Sequence, residues 1–122
     1  MRIAIFGSNE WDSYTDIMRS MTVFIQEAAE LGHTEIVVVH GGKPGAEDMI
    51  TEYIGKTEKF LRQKKFKLKE ELFRDRSKIS DIKIIESGIE FALIFSTGDG
   101  RTYRSKKALE AYNIPFRLIE SA

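Results

Sequence analysis

The chain has 122 residues and no cysteine, and its 19 Lys and Arg balance its 19 Asp and Glu. This length suits one domain with one core, and the lack of cysteine excludes a disulfide framework, a thiol nucleophile and a thiolate metal site. No apolar run approaches the roughly 18–20 residues of a membrane span, and the first residues turn polar too early for a signal peptide. We therefore expect a single cytoplasmic domain over 1–122 with no membrane partner.

The balanced charge is segregated along the chain. Residues 1–55 hold three Lys or Arg against nine Asp or Glu, whereas residues 56–78 hold ten against four. The basic segment could meet an anionic ligand, nucleic acid or an acidic partner, or it could be a solvated helix face opposite the acidic part of a second subunit. Together with apolar helix faces near 17–31 and 79–89, this split predicts a homo-oligomer, most simply a dimer.

Apolar periodicity predicts alternating strands and helices in the first half of the chain. Residues 3–6 form a short strand, and Ser13 or Asp12 can cap the next helix, with Asp16 three residues after Ser13 as in a capping box. Apolar side chains recur at helical spacing up to Leu31. A β-branched run at 35–40 indicates the second strand, and another helix follows from about Gly45.

The second half continues the alternation after one ambiguous segment. Residues 55–75 suit either a charged helix or a short edge strand, and we favour a helix to about Arg62 and a strand at 65–69, where lysines would deter edge pairing. The remaining elements are a helix from near Ser77 to Ile89, a buried strand at 91–95, a helix at 103–112 and a strand at 116–119. Short connections between such elements require parallel strands, so the expected fold is α/β, a Rossmann-like doubly wound parallel sheet of about five strands.

Three loops follow the apolar strands directly, and in a parallel sheet they share one edge. Ligands bind outside that edge in doubly wound folds. The second strand ends in two glycines, and a third glycine precedes the next helix. Such a turn can leave backbone N–H groups and a helix dipole for a phosphate or carboxylate, or it can be only a tight turn. The candidates here are His40, Gly41, Gly42, Lys43, Gly45 and Ala46, with His40 more simply a structural residue.

The loop at 96–102 combines hydroxyls, glycines and one arginine ahead of a predicted helix. Hydroxyls and amides can hold a phosphate, Arg101 can add a charge-assisted contact, and Asp99 can accept from a ribose hydroxyl; a simple turn is again the alternative. The candidate ligand-binding residues in this loop are Ser96, Thr97, Gly98, Asp99, Gly100, Arg101 and Thr102.

The first loop and one basic helix start supply the remaining candidates. Trp11 is either an exposed platform on which a base stacks or a partly buried lid. The loop candidates are Gly7, Ser8, Asn9, Glu10 and Trp11, and Arg76 and Lys78 could reach a phosphate from the start of the third helix. The two histidines lack ligand spacing, so we expect no metal site, and no catalytic constellation or resident cofactor is indicated.

In order, these pieces resemble the small SLOG proteins of the YspA type over nearly the whole chain. The most specific element is the strand-His40-Gly41-Gly42-x-x-Gly45-Ala46 sequence. The resemblance implies a Rossmann-like domain that binds nucleotides or nucleotide-derived signals, related to the Lonely Guy and DprA domains. One branch, the Lonely Guy enzymes, cleaves the N-glycosidic bond of nucleoside monophosphates. Small SLOG-like proteins are also encoded by phages, where a ligand sponge could sequester a host immune signal.

Departures from the family pattern favour binding over catalysis. The usual Pro-Gly-Gly-x-Gly-Thr loop is replaced by Ser96-Thr97-Gly98-Asp99-Gly100-Arg101-Thr102, and the glutamate that follows the threonine in Lonely Guy enzymes is missing. We therefore expect a non-catalytic binder of a nucleotide-derived small molecule, a sensor or a sponge. The alternatives are a nucleotide N-glycosidase or phosphoribohydrolase, and a nucleic-acid or protein-interaction module that uses residues 56–78, although nucleic acid is not the partner we expect.

Overall fold

A computed structural model describes residues 1–74 and 80–121. Within them lies one five-stranded, all-parallel sheet in the order β3-β2-β1-β4-β5. The strands are β1 (Arg2–Gly7), β2 (Glu35–His40), β3 (Lys67–Leu72), β4 (Phe91–Ser96) and β5 (Phe116–Glu120). The helices are α1 (Tyr14–Glu30), α2 (Ala46–Gln63), α3 (Ser80–Glu86) and α4 (Gly100–Ala111). The predicted Rossmann-like α/β fold is confirmed.

Two apolar layers hold the helices to the sheet. On one face, Ile17 and Met21 of α1 and Ile50 of α2 pack on the sheet, and on the other face Ile84 of α3 and Leu109 of α4 do so. Because α1 and α2 cover one face and α3 and α4 the other, the crossovers change sides between β1 and β4. These two strands are neighbours, so a crevice opens between the loops that follow them.

Local signals in the sequence account for the helix starts. The Ser13 hydroxyl accepts a hydrogen bond from the backbone N–H of Asp16 at 3.3 Å, so Ser13, and not Asp12, is the cap of α1. The prediction that Leu31 belongs to the apolar face of α1 is wrong, since this residue lies beyond the end of the helix and is 79% exposed. The helix expected up to Ile89 ends at Glu86, although Ile89 is buried.

Two other boundaries differ from the prediction. The third strand begins two residues later than expected and runs to Leu72, and it is an edge strand as predicted. The fourth helix begins at Gly100 rather than near Tyr103, so Gly100, Arg101 and Thr102 form its first turn instead of a loop. Asp99 is the N-cap, so the helix begins at Gly100. The N–H groups of the first turn have no partner within the helix, so a glycine there weakens few helical hydrogen bonds.

Candidate functional site

The loops that follow β1, β2 and β4 meet at the carboxyl edge of the sheet. Ser8 donates from its hydroxyl to Asp99 Oδ1 at 2.7 Å and accepts from the backbone N–H of Thr97 at 2.9 Å. Arg101 reaches from α4 to the carbonyl oxygen of Gly7 at 2.8 Å and to Oδ1 of Asn9 at 2.8 Å. These contacts join the first and third loops at the crevice between β1 and β4.

Two glycines are required by the close approach of the first two loops. Gly45 has φ +87°, and a Cβ added there would lie 2.4 Å from the carbonyl oxygen of Ser8. A Cβ on Gly7 would lie 2.4 Å from the Cβ of Ala46. Both contacts are too short for any larger residue. The spacing of glycines that resembles an anion loop is therefore explained, at these positions, by packing of the start of α2 against the first loop.

Backbone donors of the glycine turn are already occupied by acceptors of the chain. The N–H of Gly41 donates to Glu47 Oε1 at 2.8 Å, and that of Gly42 donates to His40 Nδ1 at 3.0 Å. In the third loop, the N–H of Gly98 donates to Ser96 Oγ at 2.9 Å. The sequence predicts free donors at this edge, and the structure fills these three with side chains. An anion that bound them would have to displace Glu47, His40 and Ser96.

A buried ion pair lies at the centre of this arrangement. Glu47 is 1% exposed, and its Oε2 lies 2.7 Å from Nη2 of Arg101, whose side chain is 17% exposed. With Oε1 bound to Gly41 and Oε2 to Arg101, both carboxylate oxygens have a partner. A charge as deeply buried as Glu47 needs such partners, since an unpaired buried charge is strongly destabilising. Arg101 therefore fastens the three loops together.

His40 has a structural environment, in line with the simpler interpretation of its sequence position. The side chain is fully buried, and Nε2 lies 2.7 Å from Glu70 Oε2, which also accepts from the Thr51 hydroxyl at 2.6 Å. Because Gly42 donates to Nδ1, we assign the ring proton to Nε2, from which it is donated to Glu70. The ring thus joins the glycine turn to β3 and α2, and both nitrogens are in use.

Asp99 organises the loop after β4. Its Oδ1 accepts from the hydroxyl of Thr102 at 2.5 Å and from that of Ser8, and it caps α4. Burial acts to raise the pKa of Asp99, but the hydrogen bonds from Thr102 and Ser8 outweigh it, so the pKa lies below its usual range. Thr102 also shares a 2.6 Å hydrogen bond with Ser96. These two predicted ligand-binding hydroxyls are buried against each other.

Trp11 is buried, which excludes the exposed stacking platform, one of the two interpretations of its sequence position. The side chain is 3% exposed, its ring packs edge-on against Phe95 with centroids 5.4 Å apart, and its Nε1–H donates to the carbonyl oxygen of Ser13 at 3.0 Å. The indole ring is buried against the apolar surface of β4. The polar neighbours of Trp11 in the sequence give no indication of this contact. Asn9 and Glu10 beside it are exposed.

An open cleft adjoins the occupied loops on the α3 and α4 side. Its volume is about 440 Å³, and its lining consists of Lys43, Ser80, Asp81, Ile82, Arg101, Arg104 and Ala108. Lys43 Nζ donates to Ser80 Oγ at 3.3 Å, and Asp81 accepts from the Ser105 hydroxyl at 2.5 Å. Among residues 1–74 and 80–121, no carboxylate lies within 4.0 Å of the charged nitrogens of Lys43 or Arg104. The cleft thus offers cations to an anionic ligand.

The sequence indicated only part of this cleft. Lys43 and Arg101 were candidates, whereas Arg104, Ser80 and Asp81 were not. Arg104 follows Arg101 by one turn of α4, so a helical pattern beginning at Gly100 would have placed both on one face. No sequence signal brings α3 to Lys43, because that contact depends on packing across the sheet. The predicted residues Arg76 and Lys78 lie outside the described residues.

The basic segment is partly neutralised where the structure describes it. Lys56 pairs with Glu52 at 3.0 Å on α2, and Lys69 pairs with Glu35 at 3.5 Å across β3 and β2. Its described residues are divided between α2, a turn and β3. A long polyanion would therefore meet paired as well as unpaired cations there.

Three carboxylates at this edge of the sheet accept hydrogen bonds from the chain, through both oxygens of Glu47, Oδ1 of Asp99 and Oδ2 of Asp81. Among the described residues, no cluster of three or more His, Asp or Glu side chains could hold a metal ion, and no helix is long and apolar enough to cross a membrane. No family model, curated protein or solved structure matches the chain.

Proposed function

We propose that the chain binds a nucleotide-derived, anionic small molecule in the cleft beside α4 and does not cleave it. The observation that carries the proposal is that Lys43 and Arg104 both line this concave surface, and that no carboxylate of the described residues lies within 4.0 Å of the charged nitrogens of either. The volume of about 440 Å³ lies within the roughly 300–1,000 Å³ typical of ligand sites.

The remainder of the lining suits the other parts of a nucleotide. Ile82 and Ala108 give an apolar surface for a base or a sugar ring, and the hydroxyl of Ser80 lies beside Lys43. The cleft also borders the crevice between β1 and β4, where doubly wound folds bind their ligands. The resemblance of the loop sequences to SLOG proteins supports the same ligand class. A protein of this kind would act as a sensor, or as a sponge for a nucleotide immune signal, as in phage anti-defence.

Absence of cleavage follows from the charges near the cleft. Breaking an N-glycosidic bond creates positive charge at the sugar carbon, which a carboxylate stabilises. Here Arg104 would oppose that charge, and Asp81, the carboxylate that lines the cleft, has one oxygen bound by the hydroxyl of Ser105. Glu10 is exposed on the first loop.

Two measurements test the proposal: identification of the compound that is bound to the purified protein, and a search for products of its cleavage. Protein purified from cells that make nucleotide signals is heated, and the released small molecules are identified by mass spectrometry. The compound is then incubated with fresh protein, in parallel with nucleoside monophosphates, and free base is sought by chromatography. We expect stoichiometric recovery of an intact phosphorylated compound. Catalytic release of base that Glu10→Gln abolishes would replace the proposal with a hydrolase.

A further inference from the structure

The outer edge of β3 carries a charge pattern that is complementary to itself. The strand reads Lys67-Leu68-Lys69-Glu70-Glu71-Leu72, and no other described strand lies beyond it in the sheet. Side chains of Lys69 and Glu71 remain 57% and 43% exposed although each has a partner within the chain. An unpaired edge strand presents a row of backbone donors and acceptors to a further strand, and its lysines deter pairing only with a strand that does not place acidic residues opposite them.

The pairing with β2 determines which backbone groups of β3 face outward. The N–H of Lys67 donates to the carbonyl of Thr34, and that of Phe73 donates to the carbonyl of His40. Backbone groups alternate along a strand, so the odd-numbered residues point toward β2. Leu68, Glu70 and Leu72 therefore direct their N–H and C=O groups away from the sheet.

We propose that a second copy of this chain pairs with this edge, antiparallel, about a two-fold axis at Glu70. In that register Leu68 of one protomer and Leu72 of the other exchange hydrogen bonds, and so do the two Glu70 backbones. Lys69 then lies opposite Glu71 of the other protomer, and the symmetry repeats this ion pair. The result is a continuous ten-stranded sheet with two ion pairs across the junction.

The neighbouring registers are less favourable in charge. A shift by two residues in one direction places Lys69 opposite Lys69, which offsets the two Lys67–Glu71 pairs that the same shift creates. A shift in the other direction places Glu71 opposite Glu71, and like charges directly opposite destabilise a strand pair. The two Glu70 residues at the axis do not face this penalty. Each carboxylate is directed into its own subunit, where it binds His40 and Thr51, and its side chain is 21% exposed.

A groove borders the outer edge of β3, on the side from which a second copy would approach. A groove of about 700 Å³ runs between α2 and the edge of β3, with Gly55, Glu58 and Arg62 on its helix side. Gly55 is exposed, and a Cβ there would meet no atom within 4 Å. A second copy that pairs through β3 brings its own α2 toward this groove, because α2 packs on β3 in each chain.

The other edge of the sheet lacks these features. In β5 the same hydrogen-bond alternation directs Phe116, Leu118 and Glu120 outward, since Ser121 donates to the carbonyl of Ser96. An antiparallel pair centred on Leu118 would place Arg117 opposite Ile119, with no ion pair. Arg117 is also paired with Glu27 of α1 and lies over Phe24. The charge pattern thus selects β3.

The chain contains no cysteine, so introduced thiols report the register directly. Lys69→Cys protein is mixed with Glu71→Cys protein under mild oxidation, and cross-linked dimer is measured on a denaturing gel. We expect the mixture to cross-link at least about fivefold faster than either variant alone, because residues opposite each other in a non-hydrogen-bonded pair have Cα atoms about 4.5 Å apart. Equal cross-linking in all three samples would overturn the register.

Leu72→Pro tests the backbone contacts without touching the ladder to β2. It removes an outward N–H, which an edge strand tolerates, and it should raise the dimer dissociation constant about tenfold or more in sedimentation or light scattering. Thermal unfolding of the Leu72→Pro variant shows whether it still folds. Ile119→Pro on β5 is the contrasting variant, because it would break a hydrogen bond to β4 within the sheet. A wild-type chain that is monomeric at high micromolar concentration, or a dimer unaffected by Leu72→Pro and without the mixed cross-link, would refute the proposal.

Discussion

The glycine turn after β2 and the cleft beside α4 lie at the same edge of the sheet, yet their polar groups are used differently. In the turn, Gly41 and Gly42 donate to Glu47 and His40, and Arg101 neutralises Glu47. In the cleft, Lys43 and Arg104 have no carboxylate partner among the described residues. The turn resembles an anion site in sequence, but its acceptors are internal. Recognition of a ligand is therefore expected from the cleft, and stability from the turn.

Arg101→Ala should have the largest effect, and it acts on folding. The change leaves Glu47 buried without its partner, at a cost of about 3–5 kcal/mol. An arginine in a surface loop, which is where the sequence placed Arg101, could instead be removed at little cost in stability. Chemical denaturation of Arg101→Ala beside Arg104→Ala measures the contrast, and the second variant should stay within about 0.5 kcal/mol of wild type.

A double variant sharpens the same point. Glu47→Gln keeps an oxygen that can accept from the N–H of Gly41 but carries no charge. Arg101→Ala combined with Glu47→Gln should therefore be more stable than Arg101→Ala alone. If the double variant loses as much unfolding free energy as the two single variants lose together, the ion pair is not the source of the instability of Arg101→Ala.

Gly45→Ala should come next, at about 3 kcal/mol. The new Cβ meets the carbonyl of Ser8 and the residue must keep a positive φ, a conformation that costs about 1–3 kcal/mol before the clash is counted. Gly100→Ala is the matched control, because its Cβ would meet nothing within 4 Å and its φ is not positive. Equal melting temperatures for the two variants would show that the first two loops do not interlock.

Lys43→Ala and Arg104→Ala should change binding rather than folding. A hydrogen bond to a charged group contributes about 1.5–3 kcal/mol, so each variant should bind the released phosphorylated compound about tenfold to a hundredfold more weakly in calorimetry. Lys59→Ala removes the same charge from the exposed face of α2 and serves as the control. Unchanged affinity in both cleft variants would place the ligand elsewhere.

The smallest expected effect is a dependence of stability on pH through Asp99. Its pKa is lowered in the folded chain, so its ionised form stabilises the fold above the unfolded pKa, and that stabilisation is lost as the pH falls through the folded pKa. Asp99→Asn keeps the acceptor but not the charge. The gap in unfolding free energy should be about 1 kcal/mol near pH 7 and should shrink below about pH 4. A gap that is constant from pH 7 to pH 3 would contradict this role.

The sequence was sufficient for the order of elements and for the edge at which the loops lie. Apolar runs followed by glycine identified β1, β2 and β4, and the Ser13 cap located the start of α1. It was less reliable for the boundaries of elements. The sequence placed Arg101 in a loop that contains Gly98 and Gly100, whereas α4 begins at Gly100, directly after its cap Asp99.

Within the candidate site, the sequence indicated residue types but not their partners. Glycines, hydroxyls and an arginine near parallel strand ends are compatible with a phosphate ligand, and equally with the internal acceptors that they have. Trp11 shows the same limit: a polar loop gave no indication that the ring would pack on Phe95. Distances between loops depend on how closely α2 approaches β1, which is fixed by contacts between residues far apart in the chain.

The features that follow from the amino-acid pattern are periodic and local: strands of apolar residues, helices with one apolar face, their alternation, and hence the parallel sheet with its loops on one edge. How those loops are used depends on the packing of the helices. Glu47 accepts from the N–H of Gly41 because α2 starts directly against the first loop. Lys43 contacts Ser80 and shares a cleft with Arg104 because α3 and α4 cover the other face. Hydrogen bonds and ion pairs act over a few ångströms, so their partners follow from packing in three dimensions and not from spacing along the chain.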